Sequence, residues 1–224
     1  MANHATIEIK NPGTWQVSAS AKSIFLVLTA LGVLTVGAGL AQGHAHRVWA
    51  NILINHFYFM CLAVGALFFI ALQHITNSMW STPFRRVVEG FTAYLPFAAV
   101  FGILLLTLGS HSLYEWTHPD VLSHDSLIAS KAAYLNPKAA LIRTVLAFSI
   151  WIFFAKKLVG NSLAQDISGD SSFTLNNVKW SAVFILLFSL TFSALSIDYV
   201  MSLEAHWFST MWAVYCFADR KSVV

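Results

Sequence analysis

Apolar residues in this chain gather in long runs, and no run shows the two-residue alternation of a membrane barrel strand. A helix needs about 20 residues to cross the hydrocarbon core of a bilayer. Five runs reach this length, and they cover residues 23–40, 49–72, 91–108, 139–158 and 178–197. A sixth begins near residue 207 and stops at residue 218. The pattern predicts an all-α, polytopic transmembrane helix bundle with five complete helices and a truncated sixth.

Composition agrees with this pattern and separates a polar N-terminal segment from the rest of the chain. Hydrophobic residues make up 57% of the sequence and charged residues 10%, whereas a soluble domain carries about 25% charged residues. We interpret residues 1–19 as a cytoplasmic segment and residues 20–218 as the transmembrane domain. The polar stretch before the first run is too long for a cleaved signal peptide, which favours a retained helix. Thr35, Gly39 and Gly43 form a small-residue stripe there, which predicts close packing of another helix.

Lysine and arginine orient membrane helices because they collect on the cytoplasmic side. The larger of two opposed sets comprises Lys10, Lys22, Arg85, Arg86 and, in the connection between the fourth and fifth helices, Lys156, Lys157 and Lys179. The smaller set comprises Arg47, Lys131, Lys138 and Arg143. Seven against four indicates that the N-terminus is cytoplasmic. The opposite, outer side then holds most of the histidines.

The second run begins with several polar residues. Asn51 and Asn55 share one helix face, and His56 points about 100° away from Asn55. Polar side chains inside a membrane helix need partners. His56 therefore either carries protons or binds haem, or else it makes a hydrogen bond to another helix. The sequence leaves these alternatives open.

Two sets of charged residues are spaced for ion pairs. Glu89 follows Arg85 and Arg86 by four and three residues, so all three can pair on a short helix. Arg143 lies about one turn into the fourth predicted helix, where an arginine must find a partner or reach the interface. Asp198, at comparable depth near the outer end of the fifth helix, is the predicted partner.

The segment after the fifth run carries the candidate proton-handling residues. If the helix continues, Asp198, Ser202 and His206 follow one face. We predict Asp198 and His206 as a proton-handling pair, with Glu204 as a further candidate, because histidines and carboxylates act as bases near pH 7. An arginine opposite Asp198 would favour a structural role instead.

Cysteine usage argues against redox centres in this chain. Cys61 and Cys216 lie in separate predicted helices, and the sequence contains neither a C-x-x-C nor a C-x-x-C-H motif. Covalent c-type haem, iron–sulfur clusters and zinc ribbons are therefore not expected. A b-type haem would need two histidines at equal depth, and His56 lies deeper than His111 or His206. We predict no bound metal.

Four segments carry a family resemblance. They are WSTPFRRVVEG (80–90), KAAYLN (131–136), NSLAQD (161–166) and SIDYVMSLEAHWFSTMWAVYCFA (196–218). Together they resemble ActF, the NrfD-like, quinone-associated membrane subunit of bacterial alternative complex III. The last segment is the most specific, and the resemblance covers nearly the whole chain from about residue 20.

The resemblance implies a function in the respiratory chain. Complexes of this family lie in the bacterial inner membrane, oxidise quinol and pass electrons to a cytochrome c or an oxidase. Haem c and iron–sulfur clusters belong to partner subunits, alongside a second NrfD-like subunit. The NrfD-like chains hold no redox cofactor and are thought to bind quinol or to conduct protons. Nucleic acid is not an expected partner.

The sequence departs from the family pattern at its C-terminal end. Family members have more helices, so the chain corresponds to roughly their N-terminal half and is expected to be a fragment. Residues 219–224 place three charged side chains where the sixth helix would continue. We interpret this hexapeptide as a non-native scar that should be excluded from reasoning about the fold.

Two other functions fit a bundle of this kind. A secondary transporter tends to place broken helices and charges near the membrane midplane, whereas the centres of these runs lack ionisable residues. A membrane scaffold that binds no cofactor is the second alternative. The sequence cannot separate it from a quinone subunit, because a quinone site needs only an apolar cleft with a few polar groups.

Overall fold

The structure, a computed structural model, describes residues 16–218. Lys10 and the hexapeptide 219–224 lie outside the described residues. The described chain is helical and contains no strand. The helices are α1 Ala19–Ala41, α2 Ala45–Ile75, α3 Arg85–Phe91, α4 Leu95–Leu104, α5 Ser110–Leu113, α6 Pro119–His124, α7 Ser126–Lys131, α8 Pro137–Ser168, α9 Ser172–Tyr199 and α10 Trp212–Ala218.

Five helical segments of the described chain are long and apolar enough to cross a membrane. They are α1, α2, the segment Thr82–Leu113 that contains α3 to α5, α8, and the segment Ser172–Leu203 that contains α9. The all-α fold class and the five apolar helices are therefore confirmed. Each segment extends beyond its predicted run because helical hydrogen bonding continues into polar flanking residues that leave the hydrocarbon core.

α1 belongs to a unit of its own, residues 1–44, of which residues 16–44 are described. It is apolar on all sides, and none of its residues is buried. Ser18 caps its first turn by accepting a hydrogen bond from the backbone N–H of Ala21 at 3.2 Å. The close packing predicted for the stripe at Thr35, Gly39 and Gly43 stays a prediction.

The second unit, from Ala45 onward, is a bundle in which α9 packs against α2 and α8, and α4 packs against α8. Phenylalanines fill its centre. The rings of Phe184, Phe188 and Phe192 follow one another along α9 with centroids 5.3–5.8 Å apart, and Phe154 of α8 contacts Phe184 at 5.4 Å. Large aromatic side chains contribute much of the packing energy of such a core.

The segment 82–113 is a helix with three irregular turns. Short 3-10 turns occupy Thr82–Phe84, which contains Pro83, and Thr92–Tyr94, which ends two residues before Pro96. A π turn occupies Leu105–Gly109. The π turn brings Gly109 against the indole of Trp49 so closely that a Cβ at Gly109 would lie 2.7 Å from that ring. The close approach of α2 therefore requires glycine at this position.

α8 extends past the end of its predicted run and corrects the placement of three lysines. Lys156 and Lys157 lie within α8, and Lys179 lies within α9. The connection between the fourth and fifth spans, predicted to cover residues 159–177, comprises only residues 169–171. It is shorter because the polar stretch after residue 158 remains helical. Gly169 ends α8 in the left-handed conformation, with φ of +68°, which glycine adopts without steric cost.

α9 ends at Tyr199, and the chain does not run on as a helix to His206. A 3-10 turn over Met201–Leu203 follows, and α10 begins at Trp212, later than the predicted start near residue 207. We call the end of the second unit that carries residues 110–136 and 200–211 the loop end. The opposite end, which carries Arg85, Arg86 and residues 169–171, is the arginine end.

Candidate functional site

Arg143 and Asp198 form the expected ion pair at the loop end. Arg143 Nε donates to Asp198 Oδ2 at 2.7 Å, and Arg143 Nη2 donates to Asp198 Oδ1 at 2.9 Å. The Asp198 side chain is fully buried, and the Arg143 side chain is 21% exposed. Two parallel bonds hold the carboxylate in a fixed orientation. This geometry favours the structural role for Asp198 over proton loading.

Tyrosines surround this ion pair. The guanidinium carbon of Arg143 lies 3.9 Å from the centre of the Tyr134 ring, and Arg143 Nη2 also donates to the carbonyl oxygen of Tyr134 at 3.0 Å. The Tyr114 hydroxyl donates to the carbonyl oxygen of Tyr199 at 3.0 Å. Burial raises the pKa of Tyr114 far above its usual value. Tyr134 therefore contacts the ion pair directly, and Tyr114 holds Tyr199, the residue next to Asp198.

His56 lies buried beside Tyr199, on the bundle side of α2. Their ring centroids are 5.3 Å apart, and neither ring nitrogen of His56 has a hydrogen-bond partner in the described residues. Within the described residues, His56 therefore does not make the hydrogen bond to another helix that was one of the alternatives from the sequence. Buried polar groups without a protein partner are rare and usually bind ordered water or serve a function.

Gly102 of α4 makes this arrangement possible. A Cβ at Gly102 would lie 2.4 Å from the Tyr199 hydroxyl and 3.3 Å from His56 Nε2. Both polar atoms therefore point at the same backbone position. The Tyr199 hydroxyl also lies 3.4 Å from the Thr144 hydroxyl. Sequence reasoning missed Tyr199, Thr144 and Gly102, because helical periodicity does not show which faces of different helices meet.

His206 does not join Asp198, which corrects the predicted proton-handling pair. His206 Nε2 instead lies 2.9 Å from Asp125 Oδ2. Asp125 caps α7, and its bonds from the backbone N–H groups of Ile128 and Leu127, followed by the nearby His206, lower its pKa. Because α9 ends at Tyr199, the chain carries His206 away from the helix line. Glu204 is exposed on the same segment.

A cavity of about 270 Å³ lies beneath this segment. Its walls include Tyr134, Met201, Ser202 and Trp207, and its rim includes Lys131. Lys131 Nζ donates to the carbonyl oxygen of Ala205 at 2.6 Å, which ties residues 200–211 to α7.

The arginine end contains a second set of charged residues. Arg86 pairs with Glu89, as the sequence predicted, and also with Asp166 of α8. It further donates to the carbonyl oxygen of Ser162 at 3.2 Å. Arg85 forms no ion pair within the described residues, so the three-residue pairing expected from the sequence is reduced to Arg86 and Glu89. The partner Asp166 was missed, because it lies on another helix.

Replacing Arg86 with leucine is expected to lower the free energy of unfolding by about 1–2 kcal/mol. The change removes a bond to Asp166 and leaves the carboxylate of Glu89, 3% exposed, without its partner. Unfolding in mixed micelles, followed by circular dichroism, measures this loss. Arg85→Leu is the matched control and should change stability by less than half as much. Equal losses would contradict the role assigned to Arg86.

Buried amides join the helices near Arg86. Asn161 Nδ2 donates to Asn177 Oδ1 at 2.8 Å, and Asn177 Nδ2 donates to the carbonyl oxygen of Leu158 at 3.2 Å. His74 Nε2 lies 3.4 Å from Asn177 Nδ2. His74 and His56 are 18 residues apart on α2, which places them on one face about 27 Å apart. Both ends of the bundle therefore carry a buried histidine beside α9.

Comparison with known proteins does not identify a family. No protein-family model matches the chain, and no curated protein sequence matches it. The resemblance to the NrfD-like subunits therefore stays a prediction. Among the described residues, no group of three or more His, Cys, Asp or Glu side chains is placed to hold a metal ion.

Proposed function

We propose that the chain is a membrane subunit of a respiratory quinol:electron-acceptor oxidoreductase of the alternative complex III type. Its part in the complex is to bind quinol, to transfer protons, or both. The observation that carries the proposal is the buried His56 with two free ring nitrogens beside the Tyr199 hydroxyl. A neutral imidazole offers one N–H donor and one acceptor nitrogen, so His56 has the groups needed to hydrogen-bond a quinol hydroxyl and to receive its proton.

The proposal gives the proton-handling role to His56 in place of the pair predicted from the sequence, Asp198 and His206. Asp198 is held by two bonds from Arg143, and His206 is paired with Asp125 near the surface. His56 is the candidate that remains free to exchange a proton. Asp198 and Arg143 then fix the end of α9, which positions Tyr199 next to His56.

The proposal gives an exit route to the electrons and to the protons that quinol oxidation releases. Oxidation of one quinol to a quinone releases two protons and two electrons. The electrons leave through haem c and iron–sulfur clusters in partner subunits, which include a multihaem cytochrome c and an iron–sulfur protein. The protons leave at the loop end, which faces outward if the N-terminus is cytoplasmic. The chain lies in the bacterial inner membrane in this proposal, and α10 is the start of a sixth span.

Purification of the chain with its bound proteins tests whether it assembles with these partner subunits. The chain, tagged and expressed in its native cells, is solubilised gently, and the proteins that accompany it are identified by mass spectrometry. Recovery of a multihaem cytochrome c and an iron–sulfur subunit is expected. A chain that purifies alone and stable would defeat the proposal and would favour a secondary transporter or a cofactor-free scaffold subunit.

The same preparation tests His56. His56→Leu is expected to lower the rate of quinol-dependent cytochrome c reduction about 100-fold, the lower end of the range for loss of a general base. His46→Leu is the matched control, since His46 is an exposed histidine on the same helix, and its rate should stay within about twofold of the unsubstituted protein. Unchanged activity in His56→Leu would contradict a proton-handling role for this residue.

A scaffold role is the alternative that one observation favours. The centre of α9 between the two polar ends is filled by Phe184, Phe188 and Phe192, and such an apolar core conducts no protons by itself. A scaffold would assemble with the same partner subunits, but its His56→Leu variant would keep full quinol oxidation activity.

A further inference from the structure

Lysine and tryptophan side chains meet where the apolar parts of α8 and α9 end, toward the arginine end. The apolar run of α8 ends at residue 158, and that of α9 begins at residue 178. Asn177 Nδ2 donates to the carbonyl oxygen of Leu158 at 3.2 Å, so the two boundaries lie at the same level. In a bilayer, this level corresponds to the boundary between the hydrocarbon core and the headgroups.

Phe153, Lys157 and Trp180 form a surface that is charged at this boundary and aromatic toward the hydrocarbon core. Lys157 Nζ lies 5.6 Å from the centre of the Trp180 ring. Phe153 precedes Lys157 by about one turn on the same face of α8, and its ring meets that of Trp180 edge-on with centroids 5.9 Å apart. Phe153 is 52% exposed. We call these three residues the lysine–tryptophan surface.

Two further lysines flank the lysine–tryptophan surface. Lys156 on α8 and Lys179 on α9 are both exposed. Lys156 follows Phe153 by three residues, so it lies on the same outward part of α8. Lys179 precedes Val183, which is 46% exposed, by four residues and lies on the outward face of α9. Three lysines therefore border exposed apolar surface at the level of the headgroups.

These lysines form no ion pair with any acidic side chain of the described residues. The carboxylates of Glu89 and Asp166 pair with Arg86 instead. Asp170, in the connection between α8 and α9, accepts hydrogen bonds from the backbone N–H and the hydroxyl of Ser172. Within residues 16–218, the chain therefore does not balance the charge of the three lysines.

The position of the lysines indicates which anion they meet. A lysine at this boundary extends its ammonium group into the headgroup layer, while its methylene groups stay beside apolar surface. The anions of that layer are the phosphates of acidic phospholipids. A protein partner would instead need a carboxylate in its own membrane helix, where ionisable groups are rare. An acyl chain would also cover the exposed ring of Phe153.

We propose that the lysine–tryptophan surface binds an anionic phospholipid, with the lipid phosphate at Lys157 and one acyl chain along Phe153. Trp180 contacts both residues and holds them side by side. Lys156 and Lys179 add to the attraction of the negative headgroup. This inference goes beyond the proposed function and does not depend on it, since it requires only that α8 and α9 cross a membrane.

Photolabelling with two lipid probes tests the inference. The protein is purified through a tag, with any subunits that accompany it, and reconstituted into phosphatidylcholine vesicles. One probe is phosphatidylglycerol and the other phosphatidylcholine, each with a diazirine on the acyl chain close to the glycerol, and mass spectrometry locates the label. The ratio of phosphatidylglycerol label to phosphatidylcholine label is expected to be at least about tenfold higher on residues 153–160 and 176–183 than on residues 139–146. An equal ratio in all three segments would overturn the proposal.

Competition distinguishes a lipid site from a site for free anions. Unlabelled phosphatidylglycerol is expected to remove the label from residues 153–160, and inorganic phosphate at constant ionic strength is expected to leave it in place. Removal of the label by inorganic phosphate would show a site for free phosphate and would contradict lipid binding. Equal removal by phosphatidylglycerol and phosphatidylcholine would contradict the preference for an anionic headgroup.

A single lysine gives the quantitative test. Lys157→Gln is expected to lower the labelling ratio at residues 153–160 about fivefold, the effect of one cation near an anionic membrane surface. Lys157→Arg keeps the charge and the contact with the tryptophan ring, so its ratio should stay within about twofold. Lys138→Gln is the matched control, because Lys138 is an exposed lysine at the other end of the same helix. Equal ratios in Lys157→Gln and Lys138→Gln would contradict the assignment of the phosphate to Lys157.

A second variant keeps the test decisive if Lys157→Gln fails to fold. Lys179→Gln changes an exposed position of α9 and should also lower the ratio, whereas an unchanged ratio would show that the lysines do not attract the headgroup. The result is independent of the oxidoreductase assignment. A chain that purifies without haem or iron–sulfur subunits would defeat that assignment, and the labelling ratio would still decide the lipid site.

Discussion

Replacing Arg143 with leucine is expected to lower the free energy of unfolding by about 3–5 kcal/mol, the usual cost of removing one partner from a buried ion pair. Asp198 is fully buried, so its carboxylate would stay in an apolar environment without a cation. The loss is measured by unfolding in mixed micelles, followed by circular dichroism. The expected loss also includes the contribution of the hydrogen bond from Arg143 to the carbonyl oxygen of Tyr134, which the variant removes.

Two further variants separate charge pairing from simple loss of an arginine. Arg47→Leu is the matched control, because Arg47 is exposed at the same end of the bundle and forms no ion pair in the described residues; its change in stability should stay near about 0.5 kcal/mol. The double variant Arg143→Leu with Asp198→Leu removes both charges and should be more stable than Arg143→Leu alone. A double variant that is less stable than Arg143→Leu would contradict the pairing.

Replacing Gly102 with alanine is expected to lower the free energy of unfolding by about 2–3 kcal/mol, as overpacking of a closed core does. The new Cβ would lie 2.4 Å from the Tyr199 hydroxyl. Tyr199 is fully buried, so its rigid ring cannot move aside freely. The same micelle unfolding experiment measures the loss. Displacement of the Tyr199 hydroxyl would also disturb the surroundings of His56.

The glycine prediction has a matched control and a rescue. Nothing lies within 4 Å of a Cβ at Gly65 on α2, so Gly65→Ala should be neutral or stabilising by up to about 1 kcal/mol, through helix propensity. In a Tyr199→Phe background the hydroxyl is gone, and Gly102→Ala should then cost less than about 1 kcal/mol. An equal cost in both backgrounds would show that the hydroxyl is not the obstacle.

The ion pair could be predicted from sequence because of how α8 and α9 are connected. The two helices are antiparallel and joined at Gly169, and Arg143 and Asp198 lie at similar sequence distances from that turn. The constant rise of a helix therefore places them at similar depth. A buried charge in an apolar segment needs a partner, and few charged groups are available at that depth.

The partner of His206 could not be predicted in the same way. The sequence allowed a continued helix that would align Asp198 with His206, but α9 ends at Tyr199 and a 3-10 turn follows. The path of residues 200–211 depends on bonds to a distant segment, such as that from Lys131 to Ala205. Such contacts carry no periodic signal in the sequence.

The sequence by itself determined the class of the protein: an all-α chain with five apolar helices long enough to span a membrane. These features depend on local hydrogen bonding and on the length of each apolar run, which neighbouring residues decide. Only the tertiary structure decided that His56, Tyr199 and Gly102 meet, that Arg86 reaches Asp166, and that a cavity forms beside Tyr134. Helical periodicity shows which face of a helix is apolar, but packing between distant segments selects which faces meet and which polar atoms remain free to act.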